Sequence, residues 1–277
     1  MRYWVGILVL LLSACSSNGI EQRDGYQVDT RQAALGARPR IKVLVIHYTA
    51  EDFPRSLATL TDREVSVHYL IPDRPPLKRG QPLIWQLVPE QQLAWHAGPS
   101  FWRGATRIND TSIGIELVNA GPLHQLVAPV WTPFTAQQIA VLQPLMRDIV
   151  RRYNIRPENI VGHSDIAPQR KQDPGPLFPW AMLAQQGLGA WPDTQRVGYW
   201  LKGRDPAQPV PVEDLLDVLA RYGYEVTPGM SAQQQRKVIA AFQMHFRPSD
   251  YRGLADAQTE AIAKALVDKY HSASSAP

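Results

Sequence analysis

Residues 41–49 read IKVLVIHYT, an apolar and β-branched run that closes on a histidine and its neighbours. A strand with one wet face would carry polar residues at every second position. This run does not, so it is expected as a strand covered on both faces, as in sheets flanked by helices. Downstream, residues 65–71 (VSVHYLI), 84–88 (IWQLV), 112–118 (SIGIELV) and 159–163 (NIVGH) are further strand candidates, each bounded by Pro, Gly or Asn. Together they make one sheet. Thr135 is a helix cap, and Ile139, Leu142, Leu145, Ile149 and Val150 recur at helical spacing up to Tyr153, so this helix covers a sheet face. The expected fold class is α/β, a mixed β-sheet flanked by helices.

The character of the chain shifts over 191–211, where Gly203, Asp205, Pro206, Gln208 and Pro209 mark a linker. Beyond it, residues 212–222, 231–246 and 256–270 are amphipathic and predict a small all-α C-terminal domain of three helices. At the other end, Met1-Arg2 precedes an apolar run over 3–12 and the string LSAC, a secretory signal too short to span a membrane comfortably. The lone cysteine, Cys15, excludes an intramolecular disulfide, a Cys-based zinc knuckle and a redox pair. The expected organisation is a signal peptide over 1–14, a tether over 15–25, an α/β catalytic domain over 26–195, a linker over 196–210, the three-helix domain over 211–271 and a tail over 272–277.

Hydrophobic residues at 44% and charged residues at 19% suit a packed core. A net charge of +4 favours anionic polymers or membranes as surroundings. Without a basic run interleaved with aromatics, nucleic acid is not an expected partner.

The chemistry lies at the strand ends. A catalytic zinc site has three protein ligands, His or carboxylate, and leaves a fourth position for water. His47 ends one buried strand, His163 ends another, and Asp173 sits in IAPQRKQDPGP, a loop stiffened by Pro168, Pro174 and Pro176. In an extended segment residues two apart share a side, so Lys171 faces the same site as Asp173 and can stabilise an oxyanion. Glu116 in SIGIELVN, flanked by Ile115 and Leu117, is the candidate general base, because burial would raise its pKa toward useful values. Singly, each residue has a structural explanation; their joint occurrence points to a hydrolytic metal site.

The motifs VIHYT, SIGIEL and GHSDIAPQRKQDPGP, with VSVHYLI and AWHAG, resemble the zinc-dependent N-acetylmuramoyl-L-alanine amidases of the AmiD and AmpD group, within the wider amidase and peptidoglycan-recognition family. The resemblance spans roughly residues 26–190. It implies one zinc ion on His47, His163 and Asp173, and catalytic roles for Glu116 and Lys171. It also implies cleavage between N-acetylmuramic acid, or its anhydro form, and L-alanine of peptidoglycan, in wall turnover or recycling. His96 and Arg107 are expected as substrate contacts, Arg107 to grip stem-peptide carboxylates; a bracing role for His96 is equally open, and Trp95 and Trp102 are read mainly as packing residues. The LSAC string resembles the bacterial lipoprotein box, which implies a lipid anchor on Cys15. With Ser16 following, it further implies export to the periplasmic face of the outer membrane. That signal and the second domain favour the lipoprotein branch of the group over the cytosolic one. The strings LLDVLARYGYEV, AFQMHF and GLADAQTEAI resemble a three-helix peptidoglycan-binding domain, acting as a wall anchor or as a structural cap. Binding without catalysis, and a zinc peptidase acting elsewhere in the stem, are the alternative functions.

Overall fold

The structure, a computed structural model, describes residues 19–123 and 129–271. The signal segment, Cys15 and the tail 272–277 lie outside the described residues. The chain divides into two compact units, Met1–Pro39 and Arg40–Pro277. Within the first, Ile20–Arg23 pairs antiparallel with Tyr26–Asp29. Part of the stretch expected as a tether is therefore a hairpin. Its signal is Asp24-Gly25 between the strands, with Gly25 at a φ of 77°, a conformation that favours glycine.

The second unit is built on a sheet of five strands: β1 (Val43–Tyr48), β2 (Tyr69–Ile71), β3 (Trp85–Gln86), β4 (Ser112–Leu117) and β5 (Ile160–Gly162). Their order is β5-β1-β4-β2-β3, with all neighbours parallel except the antiparallel pair β2 and β3. All five expected strands join this one mixed sheet. Because side chains alternate, each strand feeds two cores. Leu44 and Ile46 of β1, with Ile113, Ile115 and Leu117 of β4, meet Leu142, Met146 and Ile149 of helix α2 (Ala136–Tyr153). Thr135 caps α2 in a capping box with Gln138, as its sequence suggests. The opposite face carries Val43, Val45 and His47 of β1, and Ser112, Gly114 and Glu116 of β4. The small and polar residues of SIGIEL therefore look one way and its large apolar residues the other. A further helix, α1 (Phe53–Leu60), follows β1; Asp52 caps it and Pro54 lies in its first turn.

Two short helices, α3 (His163–Ile166) and α4 (Trp180–Ala184), frame the proline-rich loop. The expected linker begins inside helix α5 (Thr194–Leu201), which Asp193 caps and whose Trp200 Nε1 donates to Asp268 Oδ2 at 2.8 Å. The three C-terminal helices, α6 (Val212–Tyr222), α7 (Ala232–Phe246) and α8 (Ala257–Tyr270), stand close to where the sequence predicts them. They do not build a separate core: Leu219, Phe242 and Leu266 share one apolar cluster with Val43, Val45, Trp102 and Ile166. Among the described residues no helix is long and apolar enough to cross a membrane.

Candidate active site and metal centre

The parallel strands β1, β4 and β5 present their C-terminal ends at one edge, which brings distant residues together. His47 Nδ1 lies 2.9 Å from His163 Nδ1, and Asp173 Oδ2 lies 3.1 Å from each of them. Among the described residues these three form the one cluster able to hold a metal ion, and all are buried. The His163 tautomer is set from behind. Its Nε2 faces the carbonyl oxygen of Ala97 at 3.1 Å, so Nε2 carries the proton and Nδ1 offers a lone pair. Burial first, and the neighbouring His163 next, pull His47 down to about 4, so the His47 ring is neutral near pH 7. Burial pushes Asp173 upward, but the two histidines outweigh it and hold the carboxylate ionised.

Two imidazole Nδ1 atoms and a carboxylate oxygen thus face one another around one point. A tetrahedral face drawn at zinc bond lengths of about 2.0–2.2 Å has edges of about 3.3–3.6 Å, so the three atoms need spread only by a few tenths of an ångström to hold such an ion. The donor set therefore fits a divalent metal.

Glu116 is the register partner of His47 across β4 and β1. Burial first, and Asp173 next, raise its pKa well above the carboxylate norm, against the opposing pull of Lys171. Its Oε2 is buried without a hydrogen-bond partner among the described residues. Glu116, Lys171, His163 and Asp173 line one cavity of about 560 Å³. The five residues expected for metal and catalysis are therefore brought together.

The two expected substrate contacts fare differently. His96 is buried, and its Nδ1 lies 3.0 Å from His47 Nε2 while its Nε2 lies 3.1 Å from Ser112 Oγ. Both ring nitrogens are thus taken up by the protein: the sequence left open a structural role bracing the loop, and the ring lies between His47 and Ser112. It fits because Gly114 has no side chain: a Cβ there would come within 2.6 Å of His96 Cγ. Arg107 is exposed, pairs with Asp110 at 3.0 Å and lines an adjoining cavity of about 770 Å³ rather than the first. Trp102 is a packing residue, 2% exposed against Tyr222 and Tyr224, whereas Trp95 is 60% exposed where the two cavities meet.

Arg170 is a residue that sequence reasoning missed. Its guanidinium donates to the carbonyls of Ala97 and Pro99, tying the ligand loop to the AWHAG segment. Lys237, Ala240 and Met244 of α7 also line the first cavity, so the C-terminal helices supply part of its wall. No local pattern announces such a contact.

Residues 37–176 match the family described as N-acetylmuramoyl-L-alanine amidase. The chain is 61% identical over 269 residues to the N-acetylmuramoyl-L-alanine amidase AmiD of Escherichia coli, covering 97% of this chain and 98% of that one. It belongs to the N-acetylmuramoyl-L-alanine amidase family. The fold of this amidase superposes on the structure of E. coli AmiD in complex with anhydro-N-acetylmuramic acid-L-Ala-D-gamma-Glu-L-Lys. That superposition has a TM-score of 0.89 at 63% identity and covers 91% of this chain and 98% of the other. The amidase is likewise similar to AmpDh3 of Pseudomonas aeruginosa in complex with anhydromuramic pentapeptide. There the TM-score is 0.80 at 39% identity, over 87% of this chain and 97% of that one.

Proposed function

We propose that the chain hydrolyses the amide between N-acetylmuramic acid, including its anhydro form, and the L-alanine that begins the peptide stem of peptidoglycan. One zinc ion would be held by His47, His163 and Asp173. The observation that carries this reading is the triangle of facing acceptor atoms at 2.9 and 3.1 Å. The anhydromuramyl peptides bound to the two solved relatives support the substrate class.

Held by His47, His163 and Asp173, zinc would supply a Lewis acid that polarises the scissile carbonyl and activates water. Glu116 takes the proton from the attacking water and hands it to the departing amine, a task suited to a carboxylate whose burial strengthens its hold on a proton. Lys171 places a positive charge where the carbonyl oxygen becomes anionic. His96 and the Ala97 carbonyl keep His47 and His163 aimed. Lipid attachment at Cys15, holding the enzyme at the periplasmic face of the outer membrane, rests on the LSAC string. Fatty-acid labelling should mark the parent and not Cys15→Ala; equal labelling of both refutes the anchor.

Mass spectrometry of a digested anhydromuropeptide tests the reaction. The parent should release peptides with a free L-alanine amino terminus, and a chelator should stop it. His163→Ala should lose metal and turnover, while Glu116→Ala should keep metal and lose turnover. Activity retained by either variant overturns the scheme.

A further inference from the structure

We infer that the C-terminal helices position the metal ligands through the carboxylate of Asp165. The inference rests on the metal site proposed above. Asp165 is 1% exposed and lies on α3, two residues after His163. Its Oδ2 accepts the backbone N–H of Gly162 at 2.7 Å and faces His245 Nδ1 at 2.7 Å, while its Oδ1 accepts the Tyr224 hydroxyl at 2.5 Å. The bond to Gly162 closes the turn from which His163 projects. Beside it, the Ser164 N–H donates to the Asp173 carbonyl at 2.8 Å. Pro174 packs so closely on Gly162 that a Cβ there would sit 2.5 Å from its Cδ. The backbone bearing two of the three ligands is one packed unit, with Asp165 at its base.

The other two partners of Asp165 come from far along the chain, Tyr224 before α7 and His245 within it. His245 stacks on Trp180 with ring centroids 3.9 Å apart and planes 15° from parallel. Its Nε2 has no hydrogen-bond partner among the described residues. Burying an unpaired ring nitrogen is unfavourable, and a phenylalanine or leucine would fill the slot without that cost. The imidazole is therefore explained by its one polar contact, the bond to Asp165. A carboxylate engaged by three donors is confined to one rotamer, and the turn it closes is confined with it. Groups that orient metal ligands from behind are commonly worth 10- to 100-fold in metal affinity or activity. Here they belong to the helical module, which makes Tyr224 and His245 positioning residues whether or not that module also touches the wall.

The test compares the full-length parent with His245→Ala, His245→Asn and Tyr224→Phe. Zinc affinity is read by competition with a chromophoric chelator, folding by thermal melting, and turnover by kcat and KM. His245→Ala should weaken zinc binding about 10- to 100-fold and lower kcat with little change in KM. His245→Asn, whose amide can donate from the Nδ1 position, should recover most of both, and Tyr224→Phe should fall between. Folded His245→Ala and Tyr224→Phe proteins with the parent's zinc affinity overturn the inference. If His245→Ala does not fold, Tyr224→Phe, which loses only a hydroxyl, decides alone. Zinc affinity is measured without substrate, so a parent that binds zinc but leaves muropeptide intact defeats the proposed function and not this inference.

Discussion

Replacing Gly114 by alanine drives a methyl group into the imidazole of His96. The added Cβ would lie 2.6 Å from Cγ and 2.8 Å from both Cδ2 and Nδ1 of that ring. Ordinary carbon contacts begin at about 3.5 Å, so the ring must retreat by about 1 Å. It is held between His47 Nε2 at 3.0 Å and Ser112 Oγ at 3.1 Å, and a displacement of that size cannot preserve both contacts. Gly114 sits inside β4 without positive φ, so the backbone itself tolerates alanine and the clash is the whole effect. Overpacking of this kind costs about 1–3 kcal/mol of stability. Loss of the brace on His47 should weaken zinc binding about 10- to 100-fold. The assay is chelator competition beside thermal melting, with Ser112→Ala as the control that frees the far side of the ring without crowding it. A Gly114→Ala protein that is destabilised yet binds zinc like the parent would refute the argument that His96 aims His47.

Lys171→Ala should lower kcat by about two to three orders of magnitude while bound zinc is retained, which turnover measurements on metal-analysed protein would check. Glu90 is buried and is held down to about 2: burial works against its ionisation, but hydrogen bonds from Arg152, Tyr69 and Tyr153 outweigh it. Its folded pKa lies below the unfolded value, so its contribution is full above about 4.5 and fades as pH falls toward 2. Melting temperature should therefore drop more steeply between pH 5 and pH 3 in the parent than in Glu90→Gln; equal slopes count against the network. Leu219→Ala in the shared core should cost about 2–5 kcal/mol, and calorimetry should show the sheet and the C-terminal helices melting in one transition. A separate early transition for the helices would contradict the common core.

Much of this architecture was legible because its signals are local. The buried run at β1, the cap at Thr135 and the amphipathic C-terminal helices depend on neighbours a few residues away, which sequence displays directly. His47, His163 and Asp173 could be singled out because strand ends and proline-braced loops constrain where a side chain points. Helix α1 was missed although Asp52 and Pro54 mark its start, and α5 was missed because the Gly and Pro residues after it dominate the stretch. Nothing local could reveal that His96 sits over Gly114, that Arg170 holds two carbonyls, or that Asp165 meets Tyr224 and His245. Those contacts exist only once the sheet has closed and α7 has come down on it.

Glu116 and His47 are aligned across two neighbouring strands, so the proposed proton acceptor and a proposed metal ligand are held in relation to one another by ladder register. Strand side chains alternate, so one inserted or deleted codon within Val43–Tyr48 or Ser112–Leu117 would turn one member of the pair to the far face and silence the enzyme. A change of chain length that keeps the reaction geometry must therefore fall in the segments between strands.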